Sequence, residues 1–173
     1  MPDKTEISVS RRAFLKLSTE PKVDGIRPPW AAENSFSELC TGCNDCVRAC
    51  PEKIIVSAGD QGPVLDFSHG ACTFCGACAD ICPTGALDPS IDLVWPWKAV
   101  ISNACLSRQG ITCRACEDVC EPRTIRFRLT VGGRSEPVLD FGQCTGCGAC
   151  SYACPADAVS FEKIQLDQEG GPT

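Results

Sequence analysis

Along residues 124–131 polar and apolar side chains alternate: Thr124, Arg126, Arg128 and Thr130 against Ile125, Phe127, Leu129 and Val131. A period of two predicts a half-buried β-strand. Gly132 and Gly133 follow as a turn, and the chain returns through Pro-Val-Leu-Asp-Phe at 137–141. The same pentapeptide stands at 63–67, closing KIIVSAGDQGPVLDF, with Gly59 and Gly62 in the turn. One β-hairpin is therefore expected in each half. No stretch approaches the ~18 consecutive apolar residues of a membrane span, so no transmembrane helix is expected and the chain reads as soluble.

The composition leaves little else for a core. Aromatics are 6% of 173 residues, beside 15 Gly, 13 Pro and 16 Cys. Chains this thin in apolar bulk usually need disulfides or metals as staples. The formal charge of −6 argues against nucleic acid or an anionic membrane as partner, since both reward a basic surface. A cubane with four thiolates carries about −2, so four would take the chain to about −14. Such a body favours a redox partner protein with a basic or polar face.

The cysteines fall into four quartets: Cys40, Cys43, Cys46, Cys50; Cys72, Cys75, Cys78, Cys82; Cys105, Cys113, Cys116, Cys120; and Cys144, Cys147, Cys150, Cys154. Three of them have the spacing C-x2-C-x2-C-x3-C-P, the bacterial ferredoxin run. Thiolates two residues apart can wrap a tight loop around one face of a cubane, and small residues such as Gly42, Gly76, Gly146 and Gly148 let backbone N–H groups approach the sulfurs. A disulfide framework does not call for this packing three times over, and structural zinc would leave the third cysteine surplus. The third quartet has seven residues in its first gap, and Cys120 is followed by Glu121-Pro122 instead of a direct proline. Cys105 is thus the least regular ligand, with a three-cysteine or [3Fe–4S] site as the alternative.

Cys43, Cys46 and Cys50 map onto Cys113, Cys116 and Cys120 with a constant offset of 70, which makes the third quartet the first with a five-residue insertion. The chain reads as a duplication: an α+β, loop-rich pair of bacterial 2[4Fe–4S] ferredoxin-like lobes with short helices and β-hairpins. Lobe one spans 31–89 and lobe two 105–164. Residues 90–104 would connect them, with Trp95 and Trp97 packing between the lobes. In two-cluster ferredoxins the fourth cysteine reaches the neighbouring cluster. That rule groups Cys40, Cys43, Cys46 with Cys82, and Cys72, Cys75, Cys78 with Cys50. It likewise groups Cys105, Cys113, Cys116 with Cys154, and Cys144, Cys147, Cys150 with Cys120. Four [4Fe–4S] clusters are expected; a nested pairing of outer with inner quartets is the open alternative.

The first 30 residues read as a tail. Ser10-Arg11-Arg12-Ala13-Phe14-Leu15-Lys16 matches the twin-arginine export consensus. The apolar h-region of about 7–15 residues that a working signal needs is missing, since Glu20, Lys22, Asp24 and Arg27 follow. The segment is expected to be retained and the protein to be cytoplasmic. Residues 165–173 read as a disordered tail. His69, the single histidine, is expected at the surface, and no catalytic constellation is found.

The SRRAFL start, GIRPPW at 25–30, the four quartets and above all NACLSRQGITCRACEDVCEPRTIRF around the third quartet resemble the NapF family of ferredoxin-type accessory proteins of periplasmic nitrate reductase systems. The resemblance spans about residues 10–164. It implies a cytoplasmic, non-enzymatic partner of the precursor of the molybdenum-containing catalytic subunit, acting before export in cluster assembly or electron supply.

Overall fold

The computed structural model describes residues 25–31, 35–91 and 95–164. The twin-arginine-like motif and the 165–173 tail lie outside the described residues.

Lobe one holds α1 (Phe36–Leu39), α2 (Asp45–Ala49), β1 (Ile55–Ser57), β2 (Pro63–Leu65) and α3 (Ala77–Asp80). Lobe two holds β3 (Trp97–Ile101), α4 (Ala115–Asp118), β4 (Ile125–Leu129), β5 (Ser135–Leu139), α5 (Ala149–Tyr152) and β6 (Val159–Lys163). Helices α2 to α5 are about one turn each because every quartet supplies only the residues around its third cysteine, and the proline or turn beyond the last cysteine stops the run. Among the described residues no helix is long and apolar enough to cross a membrane.

Each half carries the expected hairpin. β1 pairs antiparallel with β2, Ile55 opposite Leu65, and β4 with β5, Ile125 opposite Leu139. The alternation along β4 fades toward the tip: Ile125 is 1% exposed, but Leu129 is 77% exposed and Val131 fully so. Thr124, on the polar phase, is buried instead. Its amide and hydroxyl both reach the Cys120 sulfur, at 3.3 Å each.

The stretch 90–104 is more than a connection. Residues 97–101 form β3, which pairs over five residues with β6, so this strand belongs to the sheet of lobe two. Lobe one repeats the arrangement in miniature, as a single bridge between Ala31 and Leu87.

Two apolar clusters form the core. The first gathers Trp30, Phe36, Ile54, Leu65, Phe67, Leu87 and Trp95; the second gathers Ala99, Ile101, Ile125 and Ala158 around buried cysteines. Trp95 sits edge-on to Phe74 in the first cluster, and Trp97 packs against that cluster from the start of β3. Phe161 of β6 touches both clusters and meets Phe67 at 4.9 Å between ring centroids.

Candidate metal centres

The three regular cysteine loops share one backbone shape. The second and fourth residues after the first cysteine are left-handed in each: Gly42 and Asn44, Phe74 and Gly76, Gly146 and Gly148. An L side chain in that region costs about 1–2 kcal/mol, so Phe74 at φ 53° holds its place through the Trp95 contact. A second signature follows the last cysteine. Lys53, Gly85, Arg123 and Asp157, each three residues on, all have positive φ. This turn forms after Cys120 as after the others, although the direct proline is missing there. It aims backbone N–H groups at sulfur: Leu87 to Cys82 at 3.4 Å, Thr124 to Cys120 and Ala158 to Cys154 at 3.3 Å.

The irregular third quartet departs in its loop. Arg114, in the fourth-position slot, has φ −136°, and the insertion folds into its own turns. The amides of Gln109 and Gly110 donate to the carbonyls of Cys105 and Ser107. Arg108 Nη1 reaches the Ile101 carbonyl at 2.7 Å, and Ser107 Oγ the Ser135 carbonyl at 2.5 Å. The insertion is thereby folded away, and Cys105 is buried.

Cysteines from different quartets meet around shared cavities. Cys40, Cys43, Cys46 and Cys82 line one; Cys50, Cys72, Cys75 and Cys78 line a second; Cys120, Cys144, Cys147 and Cys150 line a third. Their open volumes are alike, about 350, 330 and 310 Å³. The remaining four adjoin as well, because Cys105, Cys154 and Cys113 all act on the Cys116 thiol. The helices explain this exchange: α2 and α3 pack together, as do α4 and α5.

Burial pushes the Cys78 and Cys150 thiols up to about 12, and those of Cys72 and Cys116 up to about 11. Cys82 runs the other way. Burial pushes its thiol up, but the amides of Leu87, Thr84 and Ala86 and the Thr84 hydroxyl outweigh it and hold the thiol below its usual value. Among the described residues no three His, Cys, Asp or Glu side chains converge as single-ion ligands; the thiols ring cavities instead. Four soft sulfur donors per site, with amides directed at the sulfurs, are the donor set of a [4Fe–4S] cluster. His69 is exposed and lines none of the three cavities.

What sequence reading missed is the junction between the lobes. The Cys72 amide donates to the Cys147 carbonyl at 2.7 Å, joining the second site to the fourth. A Cβ on Gly148 would lie 2.1 Å from the Phe67 ring, and one on Gly146 would lie 2.2 Å from the Trp97 carbonyl oxygen. Both glycines had a second duty, close approach, that the loop motif already accounted for.

The 4Fe-4S dicluster domain family matches the chain twice, over residues 39–86 and 111–158. The chain is 39% identical over 160 residues to the ferredoxin-type protein NapF of Escherichia coli, covering 92% of this chain and 98% of that protein. It is 43% identical over 173 residues to the NapF of Haemophilus influenzae, covering 93% and 98%. The methylamine utilization ferredoxin-type protein MauM of Methylorubrum extorquens is 35% identical over 161 residues, covering 82% and 73%. Two dicluster domains imply four [4Fe–4S] clusters, and sixteen cysteines fit that number. With a doubled family domain and near full-length likeness to two of its members, the chain belongs to the NapF family of ferredoxin-type iron–sulfur proteins.

Proposed function

We propose that each group of four thiols around a shared site ligates one [4Fe–4S] cluster, within a duplicated ferredoxin-like α+β fold. The first cluster takes Cys40, Cys43, Cys46 and Cys82, and the second Cys72, Cys75, Cys78 and Cys50. The third takes Cys105, Cys113, Cys116 and Cys154, and the fourth Cys144, Cys147, Cys150 and Cys120. The cavities shared between quartets support this assignment over the nested one. Bound clusters supply one-electron redox chemistry. The chain's residues hold the thiols, direct amides at sulfur and bury the third cysteine of every quartet.

The protein acts, on this reading, as a non-enzymatic cytoplasmic accessory to a periplasmic nitrate reductase, assisting maturation or cluster assembly of the catalytic subunit before export. Likeness to the NapF proteins along nearly their whole length carries it. Anaerobic pull-down against precursor and mature catalytic subunit tests it, with preference for the unexported, cluster-free form expected. Dependence of purified mature reductase on continuous presence of this protein would instead favour a plain electron-transfer subunit. One observation speaks for that second reading: two ferredoxin-type MauM proteins, named for methylamine utilization, are 35% and 32% identical to this chain.

A further inference from the structure

Lys98 is a buried lysine on β3, 7% exposed. Its Nζ donates to the Cys144 carbonyl at 2.5 Å, the first residue of the loop around the fourth site. Among the described residues no carboxylate pairs with it; Glu162, opposite in the β3–β6 register, is exposed. A cation withdrawn from water without a counter-charge is strongly disfavoured. Among the described residues, the nearby group able to supply negative charge is the fourth site, where four thiolates and a cubane would carry about −2.

The lobes are not equal in this respect. Leu87 and Val159 each lie five residues after the last cysteine of their quartets, and they pair with Ala31 and Ile101. Pro28 and Lys98 stand three residues before these two partners, at matching places in the two pairings. Pro28 is fully buried and uncharged. The second site therefore lacks the cation that its counterpart, the fourth site, possesses. These are the two sites joined across the lobes by the Cys72–Cys147 hydrogen bond.

We propose that Lys98 is a redox-tuning residue that raises the reduction potential of the fourth site above that of the second, so that electrons cross the junction from lobe one to lobe two. In the crossing the second site loses one electron and the fourth gains it. A low-potential one-electron donor, such as reduced viologen, would return an electron to the second site and be oxidised by one electron itself. The added electron makes the fourth site more negative, and the fixed ammonium stabilises that state more than the oxidised one.

This rests on the cluster assignment above. The test is a redox titration of the anaerobic holoprotein followed by electron paramagnetic resonance, with iron counted in every sample. Lys98→Met should lower one of the four potentials and leave three unchanged, shifting the electron distribution between the second and fourth sites about tenfold, or about 59 mV for a one-electron couple. Lys98→Arg should keep it near wild type. Four unchanged potentials, or an equal fall in all, would overturn the proposal. Should Lys98→Met fail to load iron, the wild-type signal pattern decides through two other variants. The signal of higher potential among these two sites should be altered by Cys120→Ser and survive Cys50→Ser; the reverse refutes the proposal. A wild-type protein with no reducible cubanes would remove the cluster assignment itself, an outcome distinct from four clusters insensitive to Lys98.

Discussion

Phe67 and Gly148 touch across the two lobes, and their contact makes one residue-scale prediction. Gly42→Ala meets open space and bears only the left-handed backbone cost, about 1–2 kcal/mol. Gly148→Ala adds a collision with the Phe67 ring, so its loss in thermal stability should exceed that of Gly42→Ala. In a Phe67→Ala background the collision is gone. A double-mutant cycle should show coupling of about 0.5–3 kcal/mol, and strict additivity would contradict the contact. The thiols make another. Reaction with iodoacetamide follows the thiolate fraction. In the metal-free chain near neutral pH, exposed Cys43 and Cys75 and amide-stabilised Cys82 should be labelled early. Cys78 and Cys150 should be labelled last, because their raised values keep them protonated. Peptide mapping by mass spectrometry reads the order. Cluster loading must release those protons, so it should be favoured as pH rises. The four quartets were legible in the sequence, because thiol spacing is itself the signal. The burial of Thr124 was not, because its partner is the Cys120 sulfur, which no hydrophobic pattern encodes.

At the scale of elements, identical sequence has unequal consequences. The pentapeptide Pro-Val-Leu-Asp-Phe occurs in both halves, yet Phe67 is 6% exposed and Phe141 45%. Phe67 lies between its own core and the Gly148 loop, whereas Phe141 has no such cover. Phe67→Ala should cost about 3–5 kcal/mol of stability, and Phe141→Ala should stay within about 0.5 kcal/mol. Along β4 the same logic separates Ile125→Ala, about 2–5 kcal/mol, from Leu129→Ala, near neutral. Equal effects along β4 would mean that the hairpin tip is covered. Both hairpins were readable from alternation and turn glycines. Strand β3 was not: Trp97 to Ile101 is a five-residue stretch interrupted by Lys98, and its partner among the described residues, β6, lies more than 50 residues away. Pairing at that range leaves no local trace.

For the whole molecule, duplication explains the economy of the fold. Two lobes, each with one pair of short helices around thiols, replace the large apolar core that a chain with 6% aromatics cannot build. Folding and metal loading should therefore be coupled, so removal of iron should lower the thermal midpoint of the chain followed by circular dichroism. A metal-free chain as stable as the loaded one would contradict this. The duplication was legible from the quartets and the offset of 70. The order in which the lobes meet was not, since it depends on a backbone hydrogen bond between Cys72 and Cys147 and on close approaches at Gly146 and Gly148. The central claim is that sixteen cysteines hold four cubanes. Iron and acid-labile sulfide counted on anaerobically purified protein test it most directly. About 16 irons with matching sulfide per chain is the expected result, and fewer than about 12 irons would contradict it.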